Sequence, residues 1–291
     1  MKQLLTILSL LLIQFGYSQT KVVIVDGITK DPLPYTTIQS LNKKEGFITD
    51  ENGFILLNLS QKDTIYISYV GYKPINYVVG KITNDKIELF KETGSTLPDV
   101  IVKKYTPIEK PFKVGFQNYK VSFKLKGGLN RNKKFLGQEI STLVEFPNEN
   151  EKFKLLKVIL PTNRIVKNDP LRLHIYSIND NGEPFEELLI DDIVLDKGFN
   201  LFGNIEVDIS NQNIILNSKG VFVGIQWIGT WTEGNKNTTD VDFTEELYKE
   251  NTFNTNVRFV QKTWTKWGIL TSLKKKNTPN LKLGLELQKM K

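Results

Sequence analysis

Asp50-Glu51-Asn52-Gly53, followed after a short apolar run by Thr64-Ile65-Tyr66-Ile67-Ser68-Tyr69-Val70-Gly71-Tyr72, decides the fold class of this 291-residue chain. An acid-Asn-Gly cluster between alternating segments predicts a tight hairpin turn, because Asn and Gly tolerate positive φ and let two twisted strands reverse direction. The run after it reads as a strand ending at a glycine corner. Neither stretch carries a catalytic pattern, so both describe architecture before chemistry.

Residues 20–102 break into short runs rich in Val, Ile, Tyr and Thr: Lys21 to Val25, Tyr35 to Leu41, Phe47 to Thr49, Phe54 to Leu59, Thr64 to Val70, Tyr72 to Val79, Lys86 to Phe90 and Val100 to Val102. Strands at this spacing, separated by turn clusters, predict a small all-β sandwich. Residues 103–113 are charged and contain Pro107 and Pro111, which remove ladder donors and favour extended backbone, so the stretch reads as a linker. Residues 114–291 are also β. Tyr119 to Leu125, Leu171 to Ile175, Ile205 to Ile209 and Leu281 to Leu287 alternate apolar with polar, which buries one face and wets the other. Val221 to Ile228 is almost wholly apolar and predicts a central strand covered on both faces. These strands predict a larger, jelly-roll-like β-sandwich. One local helical turn is expected at Thr244 to Lys249, inside a long polar loop.

The first 18 residues have the form of a secretory signal peptide. Lys2 supplies the positive start, Leu4 to Phe15 an apolar stretch, and Gly16-Tyr17-Ser18 a small-x-small exit. The apolar stretch is about a dozen residues, too short for a bilayer that needs about twenty. No later segment predicts a transmembrane helix, so the mature chain is expected to be exported, to the periplasm or the outer membrane and cell surface. Removing residues 1–18 takes one of the 39 basic side chains and none of the 32 acidic ones, leaving a net charge of +6. The lysines are scattered, with Lys274-Lys275-Lys276 as a single run, which argues against a nucleic-acid groove. Cysteine is absent, so no disulfide supports the fold and the cores must do so.

Several motifs in order give residues 20–102 a resemblance to a known family. Val25-Asp26-Gly27, Asp31-Pro32-Leu33-Pro34-Tyr35-Thr36-Thr37-Ile38, Gly46 to Phe54, Ile67-Ser68-Tyr69-Val70-Gly71-Tyr72 and Leu97-Pro98-Asp99-Val100-Ile101-Val102 resemble the carboxypeptidase-like regulatory domain common in envelope proteins of Bacteroidota. That resemblance implies a transthyretin (prealbumin)-like β-sandwich without catalytic function. In that family the module precedes outer-membrane importers, peptidases or other sandwiches. About 190 residues follow here, too few for a plug and a large barrel. A second, fainter similarity to a jelly-roll partner rests on Glu206 to Ser210 and Gly220 to Trp227.

Chemistry is sparse. One histidine and no cysteine exclude Cys-His nucleophiles and common zinc sites. His174 is out of phase with Leu171, Leu173 and Ile175, so it is expected on the opposite side of its strand, solvated or partly packed. Neither Ser68 nor Ser141 lies in a nucleophile-elbow sequence. Ser177 to Gly182 fails as a calcium loop, because Leu188 stands where a bidentate acid is needed, and reads as a hairpin turn. Asp191-Asp192 and Asp240-Val241-Asp242 place carboxylates close together on loops. Glu186-Glu187 and Glu245-Glu246 are expected to be solvated.

No catalytic residue, metal site or cofactor is assigned, and an enzyme is not expected. Trp227 and the three remaining tryptophans all fall in the second half, where the simplest expectation is core filling. Trp264 and Trp267 lie three apart in a strand, so one of them is expected to be exposed. Trp231, Trp264 and Trp267 with Asp240 and Asp242 form the candidate binding set, since exposed rings beside polar side chains stack sugars. The sequence thus predicts an exported, non-catalytic envelope protein whose partner is another envelope protein, with glycan binding by the second sandwich as the alternative.

Overall fold

A computed structural model describes residues 19–43, 45–91, 105–115, 137–146, 151–161, 170–195, 204–216, 220–229, 255–259, 263–266 and 283–291. More than half of the described residues are in β-strands, and the regular structure besides them is two short 3-10 turns, Val79–Lys81 and Ser210–Gln212. Among the described residues no helix is long and apolar enough to cross a membrane.

The first unit is a two-sheet sandwich. β4 (Phe54–Leu57), β1 (Thr20–Asp26) and β7 (Lys86–Leu89) form one sheet, in which β1 pairs antiparallel with β4 and parallel with β7. β3 (Gly46–Ile48), β2 (Thr37–Ser40), β5 (Thr64–Ser68) and β6 (Ile75–Val78) form the other. Period-two alternation sends Val22, Ile24, Ile38, Leu57, Ile65, Ile67, Ile87 and Leu89 into one shared core. Tyr66 and Ser68 of β5 consequently fall on the outer face of the four-stranded sheet.

The Asp50 to Gly53 turn differs from the expected hairpin. β3 pairs with β2 and β4 pairs with β1, so the turn carries the chain from one sheet to the other. The chemistry of the turn is still local. Asp50 Oδ1 accepts from Asn52 N at 2.8 Å and Phe54 N at 2.9 Å, and Gly53 N donates to Asp50 O at 3.1 Å. Gly53 has φ +68°, and a Cβ there would lie 2.7 Å from Ile24 O on β1. The glycine is therefore required by the neighbouring strand as well as by the turn.

The second unit is built of two curled antiparallel sheets. One holds β14 (Asn204–Asp208), β10 (Lys152–Pro161), β19 (Gly284–Met290) and β8 (Phe112–Gly115), with β15 (Ile215–Leu216) beside β10. The other runs β12 (Pro184–Glu187), β11 (Leu171–Ile178), β16 (Gly220–Trp227), β9 (Gln138–Glu145), β17 (Thr255–Phe259) and β18 (Thr265–Lys266), with β13 (Ile193–Leu195) also on β11. The chain alternates between sheets from β8 to β11, and residues of both fill one core that includes Phe153, Leu155, Leu173, Val223, Trp227 and Leu285. β16 lies between β11 and β9 and is buried at every position, as its apolar run predicts.

The loop from Asn179 to Gly182 is a hairpin between β11 and β12, closed by Gly182 N to Asn179 O at 2.9 Å and by Asn179 Oδ1 accepting from Asn181 N and Glu183 N. Within the stretch expected as a linker, Thr106 and Ile108 hydrogen-bond to Lys291 and Lys289, and β8 begins at Phe112. The helical turn expected at Thr244 to Lys249 and the strand expected at Tyr119 to Leu125 lie outside the described residues.

Candidate functional site at the domain junction

Parity along β11 builds the site. Leu171, Leu173 and Ile175 point into the core, so Arg172, His174 and Tyr176 share the opposite face with Phe222, Gly224 and Gln226 of β16, Glu139 of β9 and Arg258 of β17. An alternating antiparallel strand ordinarily wets that face. Here Arg172 is 2% exposed, His174 6% and Glu139 1%. Part of the cover comes from the first sandwich. The corner after β5 brings Val70 onto the second core, and Tyr69 and Tyr72 line the junction beside it.

Three ion pairs neutralise the buried charges. Arg172 binds Asp192 in bidentate fashion, Nε to Oδ1 at 2.6 Å and Nη2 to Oδ2 at 2.9 Å. Its Nη1 donates to Gln226 Oε1 at 3.2 Å, and Nη2 also reaches the Tyr35 carbonyl of the first sandwich at 3.0 Å. The guanidinium sits 5.4 Å from the Tyr69 ring. His174 Nδ1 meets Glu187 Oε2 at 2.6 Å, its Nε2 lies 3.4 Å from Gln226 Oε1, and its ring stacks on Tyr176 at 5.5 Å. Arg258 donates Nε to Glu139 Oε2 at 2.7 Å and Nη2 to the Tyr176 hydroxyl at 2.6 Å. It also lies 4.3 Å over the Trp264 ring.

These pairs hold the groups in defined protonation states. Burial works against a charged His174, but the carboxylates of Glu139 and Glu187 outweigh it and raise its pKa above the ordinary value. Burial likewise opposes ionisation of Glu139, yet Arg258 and His174 prevail and hold its pKa below the usual carboxylate range. Desolvation is the main cause pushing the Tyr69 and Tyr176 phenols up, so both stay neutral. A Cβ at Gly224 would fall 2.6 Å from Glu139 Oε1 and 3.1 Å from His174 Cβ, so a larger residue there would displace the Glu139 carboxylate. On the same face Ser141 Oγ and both polar atoms of Asn256, cross-strand partners, are buried and have no hydrogen-bond partner among the described residues, and the same is true of Glu139 Oε1. Each such atom costs about 1–3 kcal/mol.

A cleft of about 240 Å³ opens between the sandwiches, with Tyr66 and Tyr69 on one wall and Arg172, His174, Glu187 and Phe185 on the other. The arrangement can grip a polar molecule or lock two domains together. His174 directs its nitrogens to Glu187 and Gln226, and no hydroxyl nucleophile bonds to it among the described residues.

The structure corrects several expectations. His174 takes the predicted side of its strand but is buried, because the first sandwich and Glu187 cover it. Glu187 is no solvated charge: besides His174 it accepts from Ile175 N at 2.9 Å. Asp191 and Asp192 do not act together, since Asp191 accepts from Gln212 Nε2 at 2.9 Å and Asp192 faces Arg172. Trp264, of the candidate binding set, is half-buried and packs between Arg258 and the edge of Tyr176. Trp231, Trp267, Asp240 and Asp242 lie outside the described residues, as does Glu245-Glu246. Sequence reasoning missed Arg172, Arg258 and Glu139. Arg172-x-His174-x-Tyr176, three large hydrogen-bonding side chains on the face of a strand expected to be wet, was the available signal.

Comparison with known families matches residues 22–102 to the CarboxypepD_reg-like domain. The match spans the first sandwich and its following segment, and supports a non-catalytic β-sandwich module of regulatory or interaction type. A search of curated proteins found no match to the chain.

Proposed function

We propose that this is an exported, non-catalytic interaction protein of a bacterial cell envelope, of the kind found in Bacteroidota. Its regulatory-type sandwich is clamped onto a jelly-roll-like sandwich to form one rigid unit, resident in the periplasm or at the outer membrane. The carrying observation is the bond from Arg172 to the Tyr35 carbonyl, made by a buried cation that also holds Asp192 and Gln226. A mobile spacer would not commit a desolvated guanidinium to its neighbour. The leader-like residues 1–18 support export. The closed ion pairs around His174 support a structural use of its imidazole.

In this reading the partner is another envelope protein, met by surfaces away from the junction. Crosslinking in intact cells followed by affinity capture of the full chain tests it. Reproducible recovery of one envelope protein, with signal-peptide cleavage after Ser18 seen by mass spectrometry, is the expected result. A cytosolic, uncleaved chain would refute it.

A further inference from the structure

The junction cleft has properties that a purely mechanical clamp does not need. Both ring nitrogens of His174 face oxygens, Glu187 Oε2 at 2.6 Å and Gln226 Oε1 at 3.4 Å, and with the ring protonated the charges balance: Arg172, Arg258 and His174 face Asp192, Glu139 and Glu187. A charged guest would therefore arrive without a free counter-charge and lose its hydration. Hydrogen-bonding capacity nevertheless remains on both walls. The Tyr66 hydroxyl and Arg258 Nη1 make no hydrogen bond among the described residues, while Glu187 Oε1 accepts only main-chain N–H groups, at 2.9 Å from Ile175 and 3.3 Å from Leu189. Phe185 on the cleft wall is 61% exposed, a large apolar ring left in water beside polar groups. The volume of about 240 Å³ compares with about 30 Å³ per liquid water. That is room for one ring-sized solute.

A guest that fits must be neutral, must both donate and accept, and must have an apolar face for an aromatic ring. Sugar hydroxyls meet the first two conditions and the C–H face of a pyranose the third. We propose that the cleft between the two sandwiches is a binding site for a neutral pyranose, with Phe185 as the stacking surface and Tyr66, Arg258 and Glu187 as hydrogen-bonding groups. The walls come from different domains, so the sugar bridges them. The site rests on the docked arrangement proposed above.

The test titrates the full chain with the methyl glycosides of glucose, galactose, mannose and N-acetylglucosamine, followed by saturation-transfer NMR and calorimetry. Glucuronate and galacturonate serve as the charged counterparts. At least one neutral glycoside is expected to bind, and its uronate to bind more weakly. Tyr66→Phe, which removes one hydroxyl, should weaken binding about five-fold. Phe185→Ala, at an exposed position, should weaken it about ten-fold. No binding by any neutral glycoside, binding indifferent to both substitutions, or tighter binding of a uronate would overturn the site. Small-angle scattering on the same samples separates the two readings. A compact particle without sugar binding sinks the site alone, and an extended particle sinks the docking with it.

Discussion

Arg172 and Tyr35 are 137 residues apart in the chain and belong to different sandwiches, yet the guanidinium Nη2 of one donates to the main-chain carbonyl of the other at 3.0 Å. The same nitrogen binds Asp192 at 2.9 Å, so domain docking and an internal ion pair depend on one side chain.

Arg172→Met should separate those roles clearly. It removes the interdomain bond and strands Asp192 without its cation, costing about 3–5 kcal/mol. Urea unfolding should show a lower midpoint, and scattering should show a longer particle. Arg172→Lys keeps charge but lacks the fork that holds both Asp192 oxygens, so it should recover only part of the loss.

The single histidine makes a pH experiment simple to read. Folding raises the His174 pKa above its ordinary 6.5 through Glu139 and Glu187, against burial and the repulsion of Arg172. A raised value means the folded state holds the proton more tightly. Its contribution to stability is complete below pH 6.5 and fades as pH climbs through the folded-state value. Unfolding free energies from pH 5.5 to 9 should fall on the alkaline side, and His174→Asn should flatten that fall. The lone imidazole Cε1–H resonance should titrate above pH 6.5.

Asp26 behaves oppositely. The Tyr72 hydroxyl at 2.6 Å, then the N–H groups of Thr29 and Ile28, lower its pKa from 3.8 to about 2. Its contribution is present above pH 3.8 and lost as pH falls through about 2. In Tyr72→Phe the carboxyl should titrate closer to 3.8, by carboxyl-carbon NMR, because the first and largest cause has gone.

Gly71→Ala tests the corner itself. Gly71 has φ +77°, and a Cβ would lie 2.8 Å from Ile190 O of the second sandwich. The strained backbone costs about 1–3 kcal/mol and the collision adds to it. The loss should appear as weakened docking, read as longer scattering dimensions with both sandwiches still folded. Gly53→Ala should instead destabilise the first sandwich, since its clash is with Ile24 O in the same unit.

The sequence revealed parity and turns better than cover. Leu171, Leu173 and Ile175 announced which way His174 points, because side-chain period is a local property. They were silent on its burial, because the covering corner at Tyr69 to Tyr72 lies a hundred residues earlier. The Asp50 to Gly53 turn was legible through its own hydrogen bonds, but its role as a passage between sheets depends on which strands β3 and β4 later pair with. What covers Trp264 was hidden for a similar reason. Spacing assigned it a face, while Arg258, which occupies that ring, comes from an adjacent strand.

The parallel pairing of β1 with β7 also constrains how the protein is made. Val23 meets Lys86 and Asp26 meets Leu89, so one edge of the first strand waits on residues more than about sixty positions downstream. In an exported chain that edge stays open from synthesis until residues 86–89 have crossed the membrane and paired with it. Until Leu89 emerges, a strand of sequence Thr-Lys-Val-Val-Ile-Val-Asp is available to any other extended chain. A holdase that engages the chain in this interval would protect the module.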